Sequence, residues 1–161
     1  MSMTTPLHWA SWNGHVNAIK LLIDASANVN ERDNKDWTPI HNASCQGHTD
    51  AMQLLIEAGA DVNEKNKWKR TALHFASSHG HTDAIQLLID VGADINAKDD
   101  IGWTPLHKAL HNGHTDAIQL LIEAGADVNA ESNSKCTPLY VVSHNNKDDV
   151  IQLLKAHGAH K

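Results

Sequence analysis

Apolar residues recur at helical spacing between positions 82 and 91, and this pattern predicts a short amphipathic helix. The apolar face consists of Ala84, Ile85, Leu87, Leu88 and Ile89. Thr82-Asp83 opens the helix, and an acidic residue in the first turn interacts favourably with the helix dipole. Gly92 follows the last apolar residue, where the left-handed backbone of a helix end costs glycine little. The segment therefore has both a start and a stop signal.

A second, shorter helix is predicted after each Thr-Pro pair. In Thr104-Pro105 the threonine is a good N-cap, and proline suits the first helical position because its missing N–H is not needed there. Gly113 ends this helix; Asn146 takes the corresponding place near the end of the chain. Helices of this length are marginally stable alone. Their apolar faces therefore require neighbours.

Four sequence motifs repeat in phase, each at steps of 33 residues. The first comprises Thr5-Pro6-Leu7-His8, Thr38-Pro39-Ile40-His41, Thr71-Ala72-Leu73-His74, Thr104-Pro105-Leu106-His107 and Thr137-Pro138-Leu139-Tyr140. The others are a Gly-His pair, a Leu-Leu-Ile run and an Ala-Asp-Val-Asn block, such as Gly47-His48, Leu54-Leu55-Ile56 and Ala60-Asp61-Val62-Asn63. Together they indicate a chain of five stacked units.

These motifs and their period closely resemble the ankyrin repeat family, over residues 4–161. The resemblance implies an all-α solenoid of stacked antiparallel helix pairs, with projecting β-hairpin loops that form a concave groove. We predict a single domain, 1–161, with repeats at approximately 4–30, 31–63, 64–96, 97–129 and 130–161. The resemblance further implies that the histidines of the Thr-Pro-x-His motif tie loops together by hydrogen bonds. By analogy, the expected function is a non-catalytic scaffold that binds another protein.

The loops depart from the family pattern, which places an Asp and, three residues later, a Gly in a left-handed turn. Only Asp99 with Gly102 fits fully. Asp36, Lys69 and Lys135 occupy the glycine position elsewhere, and a side chain there costs on the order of 1 kcal/mol. We therefore predict that three hairpins are looser or differently wound. Ser26 likewise replaces the helix-closing glycine of the first unit.

The composition and the net charge restrict the classes of partner that the protein can bind. The chain has 161 residues, a formal charge of −6 and an isoelectric point near 6.1, whereas nucleic acids and anionic membranes require a basic face. No apolar stretch approaches the roughly 20 residues of a bilayer span. Two cysteines exclude a disulfide scaffold and favour the reducing cytoplasm, with secretion into a host cell left open. We expect a protein partner, no nucleic acid and no membrane insertion.

The sequence predicts no enzyme, no metal site and no cofactor. Eight of the 13 histidines occupy repeated motif positions. Equivalent residues of stacked helices lie about 8–10 Å apart, too far apart to share a zinc ion that needs ligands at about 2 Å. The same spacing separates Asp50, Asp83 and Asp116, which argues against a paired-carboxylate site. The phosphate-binding and dinucleotide-binding glycine motifs are missing from the sequence.

The residues that differ between units fall at the loop tips and at the ends of the first helices, where the family resemblance places partner contacts. The predicted partner-binding residues are Trp12, Asn34, Lys35, Trp37, Cys45, Gln46, Lys67, Trp68, Arg70, Ser78, His79, Asp100, Ile101, Trp103, His111 and Asn112. His144 and Asn145 are their equivalents in the last unit. Trp37, Trp68 and Trp103 stand on successive tips, where tryptophan favours binding hot spots or, alternatively, stiffens the loops.

Two further hypotheses remain open at this point. Lys65, Lys67, Lys69 and Arg70 surround Trp68. This patch fits an acidic peptide, a phosphate-bearing ligand or an ordinary solvated loop. The N-terminal unit, with Trp9 and Trp12, lacks an obvious polar cap. We expect a monomer, but this uncapped edge also fits a structural or oligomer-forming module, a fragment of a longer array, or an engineered repeat protein.

Overall fold

The computed structural model describes residues 4–143 and 148–160, and over these residues the chain forms ten α-helices and no strand. The helices are α1 (Pro6–Asn13), α2 (Val16–Asp24), α3 (Pro39–Gln46), α4 (Thr49–Glu57), α5 (Ala72–His79), α6 (Thr82–Asp90), α7 (Pro105–Asn112), α8 (Thr115–Glu123), α9 (Pro138–Ser143) and α10 (Asp148–Ala156). This confirms the all-helical repeat fold. The predictions for His144, Asn145 and Asn146 lie outside the described residues.

The first helix of a repeat begins with a reciprocal cap between threonine and histidine. In α3 the Thr38 N–H donates to His41 Nδ1 at 3.0 Å, and the threonine side chain caps the histidine's own N–H in return. The helix ends at Gly47, whose φ of 72° is left-handed. The Thr-Pro-x-His motif therefore fixes where each of these two-turn helices starts.

The glycine at the end of a first helix also makes room for the next repeat. A Cβ added to Gly47 would lie 2.7 Å from His81 Cγ, and one added to Gly80 would lie 2.6 Å from His114 Cγ. The same His81 donates from Nε2 to the Cys45 carbonyl oxygen at 3.1 Å. The repeated Gly-His pair is thus a contact between repeats as well as a helix end.

The core is a continuous layer of aliphatic side chains between helix pairs. Ile40, Leu73 and Leu106 of the first helices and Leu55 and Leu88 of the second helices are fully buried. First helices pack on first helices and second helices on second helices of the adjoining repeat. Full burial of one such side chain contributes about 1.5–3 kcal/mol. Stacking therefore supplies the stability that the isolated helices lack.

The prediction that three loops are differently wound is wrong. Asp36, Lys69 and Lys135 adopt φ values of 57°, 55° and 63°, in the same left-handed region as Gly102 at 79°. The turn ending at Lys69 closes through a 2.8 Å hydrogen bond from its N–H to the Asn66 carbonyl oxygen, and the others close equivalently at 3.0 Å. These loops are tight turns, and their first residue holds the turn by accepting backbone N–H bonds.

Ser26 carries unrelieved backbone strain at the end of α2. Its φ is 65° and its side chain is exposed. At the equivalent glycine of the next repeat, Gly59, an added Cβ would have no other atom within 4 Å, so packing does not compensate for the strain. Ser26→Gly is expected to raise the free energy of unfolding by about 1 kcal/mol and the Tm by about 2–4 °C. Thermal and urea denaturation measure both. Gly59→Ser is the reciprocal control and should destabilise; a Ser26→Gly chain no more stable than the parent would contradict this prediction.

Candidate functional site

Four loops at residues 33–37, 66–70, 99–103 and 132–136, here called the loop row, are joined side by side through their backbones. The Lys67 N–H donates to the Lys35 carbonyl oxygen at 3.1 Å, and the Asp100 N–H donates to the Trp68 carbonyl oxygen at 3.0 Å. Asn133 makes the same 3.0 Å bond to Ile101. The tips are therefore held in fixed register along the stack.

Buried histidines attach the loop row to the first helices. His8, His74 and His107 each place Nε2 within 2.8–3.1 Å of the carbonyl oxygen at the end of a loop, whereas His41 instead reaches the Glu64 carbonyl at 2.9 Å. In each of them Nδ1 accepts a backbone N–H, so Nε2 is the nitrogen that donates to the carbonyl oxygen. Burial lowers the pKa of both His41 and His74 to about 4.

Trp37 and Trp103 stand at the feet of their loops and pack on helix side chains. The ring centroids of Trp37 and Phe75 are 4.4 Å apart. The ring centroids of Trp103 and His111 are 5.3 Å apart, and Lys108 Nζ lies 4.8 Å from the Trp103 ring centroid. Both tryptophans are half-buried and pack on side chains of the first helices, which favours the alternative that they stiffen the loops.

Trp68 differs from the other two tryptophans because it occupies a different loop position. It aligns with Lys35 and Ile101 at the tip, and 38% of it is exposed. Five other predicted tip residues are also exposed, and Arg70 is half-buried; the exposed ones are Asn34, Lys35, Lys67, Asp100 and Ile101. At the helix ends, Trp12 and Gln46 are also exposed.

A cavity of about 350 Å³ opens between the loop row and the first helices of the third and fourth repeats; we call it the loop–helix cavity. Its lining consists of Cys45, Arg70, His74, Phe75, Ser78, His79, Trp103, Lys108, His111 and Asn112. Seven of these were singled out in the sequence: Cys45, Arg70, Ser78, His79, Trp103, His111 and Asn112. The fold thus brings side chains from three first helices and two loops to one concave site.

Phe75 and Lys108 form walls of the loop–helix cavity but were not among the residues predicted from the sequence. They occupy the same helix position as Trp9 and Asn42, one repeat apart in each case. That position carries Trp, Asn, Phe and Lys in turn, and this variability between units is the signal that would have identified it. Trp9 of the N-terminal unit therefore occupies the same repeat position as two residues of the cavity lining, outside the cavity itself.

An ion-pair cluster underlies the cavity. The carboxylate of Asp99 is fully buried, and its Oδ2 lies 2.7 Å from Lys108 Nζ and 3.5 Å from Arg70 Nε. Its Oδ1 accepts the backbone N–H groups of Ile101 and Trp103 at 3.1 and 2.8 Å. Burial by itself raises the pKa of Asp99, but the bonds from Lys108 and Trp103 outweigh it and hold the pKa below its usual value.

Three observations concern nucleophilic, metal-binding and membrane-spanning groups. Burial raises the pKa of the Cys45 thiol, which disfavours the nucleophilic thiolate. Over residues 4–143 and 148–160, no three His, Cys, Asp or Glu side chains are grouped so as to hold a metal ion. In the same part of the chain, no helix has the length and apolar character needed to cross a membrane.

Both ends of the stack expose apolar side chains. At the N-terminal end, 64% of Trp9 and 71% of Leu21 are exposed. At the C-terminal end, Leu139, Tyr140 and Ile151 line a cavity of about 540 Å³. Leu21, on α2, extends the N-terminal apolar edge beyond the two tryptophans that the sequence indicated.

The fold is that of a solenoid repeat protein in which loops and first helices together line one concave cavity. A family model described as "Ankyrin repeats (3 copies)" matches residues 7–99, 58–132 and 91–161. The chain belongs to the ankyrin repeat family. Ankyrin repeats are generally protein–protein interaction modules and typically non-catalytic. A search of curated proteins found no match to this chain.

Proposed function

We propose that this protein is a non-catalytic scaffold that binds a partner protein in the concave groove formed by its loop tips and first helices. One observation carries the proposal: seven side chains that vary between repeats line a single cavity. In a repeat protein, residues that maintain the stack recur at the same position. Residues that vary and still converge are available for recognition.

The rigidity of the loop row supports the same proposal. Its tips are joined by backbone hydrogen bonds and anchored by buried histidines. A surface that is ordered before binding loses less conformational entropy when the partner docks. Trp68 and Ile101 present apolar surface at the rim of this ordered scaffold. The proposed setting is the reducing cytoplasm, where Cys45 and Cys136 remain free thiols.

An affinity capture from a lysate of the source organism, identified by mass spectrometry, tests the proposal. The groove variant is Trp68→Ala/His79→Ala/His111→Ala, which spares the half-buried Trp37 and Trp103. The matched control is Gln53→Ala/Gln86→Ala/Gln119→Ala, on the exposed face of the second helices. We expect a partner that the parent and the control capture and the groove variant loses, with equal helicity by circular dichroism. A partner retained by the groove variant would contradict groove binding.

The exposed N-terminal edge supports a second candidate function, self-association. Trp9 and Leu21 are the two most exposed large apolar side chains among the described residues. Light scattering across a concentration series separates the two functions. A dimer that Trp9→Ser/Leu21→Ser abolishes would favour self-association, whereas a monomer at all concentrations would leave groove binding as the function.

A further inference from the structure

We infer that the loop–helix cavity receives an acidic segment of the partner protein, with one of its carboxylates paired to Arg70. This inference rests on the proposed function and specifies the chemistry of the partner. It follows from the balance of charge inside the cavity, from the groups that Arg70 leaves unpaired, and from the distribution of charge around the loop row.

The cavity wall carries more cationic side chains than carboxylates. Arg70 and Lys108 both line it, and in the part of the chain that the structure describes both approach one shared carboxylate, that of Asp99. Lys108 makes the short contact with Asp99 at 2.7 Å, while Arg70 approaches the same oxygen through Nε at 3.5 Å. One cationic side chain is therefore left uncompensated at the cavity wall. A ligand carboxylate would restore the balance.

Arg70 is positioned to make that contact. Its side chain is 36% exposed, and no described residue accepts a hydrogen bond from its two Nη groups. Its backbone is fixed, since Asn66 Oδ1 accepts the Arg70 N–H at 3.0 Å. A guanidinium whose Nε faces an internal carboxylate keeps its Nη edge free for a bidentate bond to a second one.

The surroundings of the cavity are basic in an acidic protein. The loop row together with Lys108 carries six Lys and Arg side chains against four Asp, although the whole chain has a charge of −6. Of those aspartates, Asp99 is fully buried, Asp33 and Asp36 are half-buried and Asp100 is exposed. Among the cations, Lys135 is paired with Glu131 at 2.7 Å. Lys67 and Lys69 extend into solvent next to Arg70. This face attracts an anionic segment, whereas the acidic remainder of the protein disfavours a long polyanion such as nucleic acid.

The other walls of the cavity fit the rest of a peptide. Phe75 and Trp103 offer apolar surface for a neighbouring side chain. Asn112 and Ser78 provide polar groups, joined to each other at 3.2 Å, that suit a peptide backbone. A volume of about 350 Å³ accommodates a few side chains and no folded domain. The occupant is therefore a short acidic segment with an apolar residue beside the carboxylate.

A selection from a phage library of random ten-residue peptides, against the parent protein, tests this inference without knowledge of the natural partner. We expect the enriched peptides to contain Asp or Glu well above the frequency in the unselected library, with an aromatic or aliphatic residue nearby. The most enriched peptide is then synthesised with a fluorescent label, and its affinity is measured by anisotropy.

Arg70→Gln is expected to weaken this peptide at least tenfold, as is a change of its anchoring Glu or Asp to the amide. Because the two changes remove the same ion pair, their effects on binding should be less than additive. Arg32→Gln removes an equivalent charge from an exposed arginine that pairs with Glu64, and should leave affinity within twofold. The fold is expected to survive Arg70→Gln because Asp99 retains Lys108; circular dichroism and Tm verify this.

The outcomes separate this inference from the proposed function. The enriched peptides could lack acidic residues and yet fail to bind the Trp68→Ala/His79→Ala/His111→Ala variant. That result would overturn the acidic partner and preserve groove binding. Acidic peptides bound equally by Arg70→Gln and the parent would overturn the role of Arg70. Enrichment of no peptide, or of peptides that all these variants bind equally, would overturn the inference.

Discussion

Asp99→Ala is expected to lower the free energy of unfolding by about 4 kcal/mol, because it removes one partner of a buried ion pair and leaves the other charge unpaired. Only 11% of the Lys108 side chain is exposed, so water compensates it poorly for the missing carboxylate. The substitution also removes the acceptor for the Ile101 and Trp103 N–H groups. Urea denaturation at pH 7, followed by circular dichroism, measures the loss.

Asp33→Ala provides a matched control for the ion pair. Asp33 occupies the same loop position as Asp99 and accepts the same two backbone bonds, from Lys35 at 2.8 Å and Trp37 at 2.9 Å. The first loop has no counterpart of the contact with Lys108. The difference between the two variants therefore isolates the ion-pair cluster. Equal losses for Asp33→Ala and Asp99→Ala would show that the cluster contributes nothing beyond the turn.

Acidification from pH 7 to pH 5 is expected to destabilise the protein by about 2 kcal/mol for each of His41 and His74. Their pKa in the folded protein is about 4, below the ordinary value of 6.5. Between these two values the unfolded chain binds protons that the folded chain does not, so stability decreases as the pH falls. Burial also lowers the pKa of His81 and His107, in the same direction. Denaturation curves at half-unit pH steps measure the slope.

A His74→Gln variant tests the assignment of this slope. Gln does not titrate, so the variant should be less stable at pH 7 and should bind about one proton fewer on unfolding near pH 5. The pKa of Asp99 is lowered below 3.8, so this carboxylate affects the free energy of unfolding at a more acidic pH than the histidines do. A parent protein whose stability is constant between pH 7 and pH 5 would contradict the prediction.

The repeat fold was predictable because each of its determinants is local and occurs several times. Thr38, His41 and Gly47 specify one helix through contacts within ten residues, and the 33-residue period copies that specification along the chain. Stacking then follows from the apolar faces that the short helices leave uncovered. The family comparison agrees with this outcome over residues 7–161.

The details of the site were less predictable because they depend on side chains that pair across repeats. Trp37 reads as an exposed loop residue in sequence, yet it packs on Phe75, which is 38 positions further along the chain. The sequence alone suggests that Lys108 is solvated, yet its Nζ contacts the Asp99 carboxylate and the Trp103 ring at the cavity. Periodicity assigns a residue to a face, but which residue it contacts there depends on the three-dimensional register of two repeats.

The loop conformation failed as a prediction for a different reason. The left-handed turn is costly for Lys69 when the residue is considered alone. The turn is nevertheless imposed by the Asn66 side chain, by the closing backbone bond and by the neighbouring loop through Lys67. Several weak constraints together exceed a single local penalty of about 1 kcal/mol.

Packing between neighbouring repeats also determines how this chain acquires its structure during synthesis. The principal helix contacts join elements of the same or the adjoining repeat. Few of them therefore require residues that are synthesised much later. Chains dominated by such short-range contacts fold quickly, and repeat arrays extend by adding units to a nucleus already formed. A nascent chain that has emerged from the ribosome as far as the third repeat already contains complete interfaces. Translation and folding can therefore proceed in step, with each new helix pair docking on the one before it.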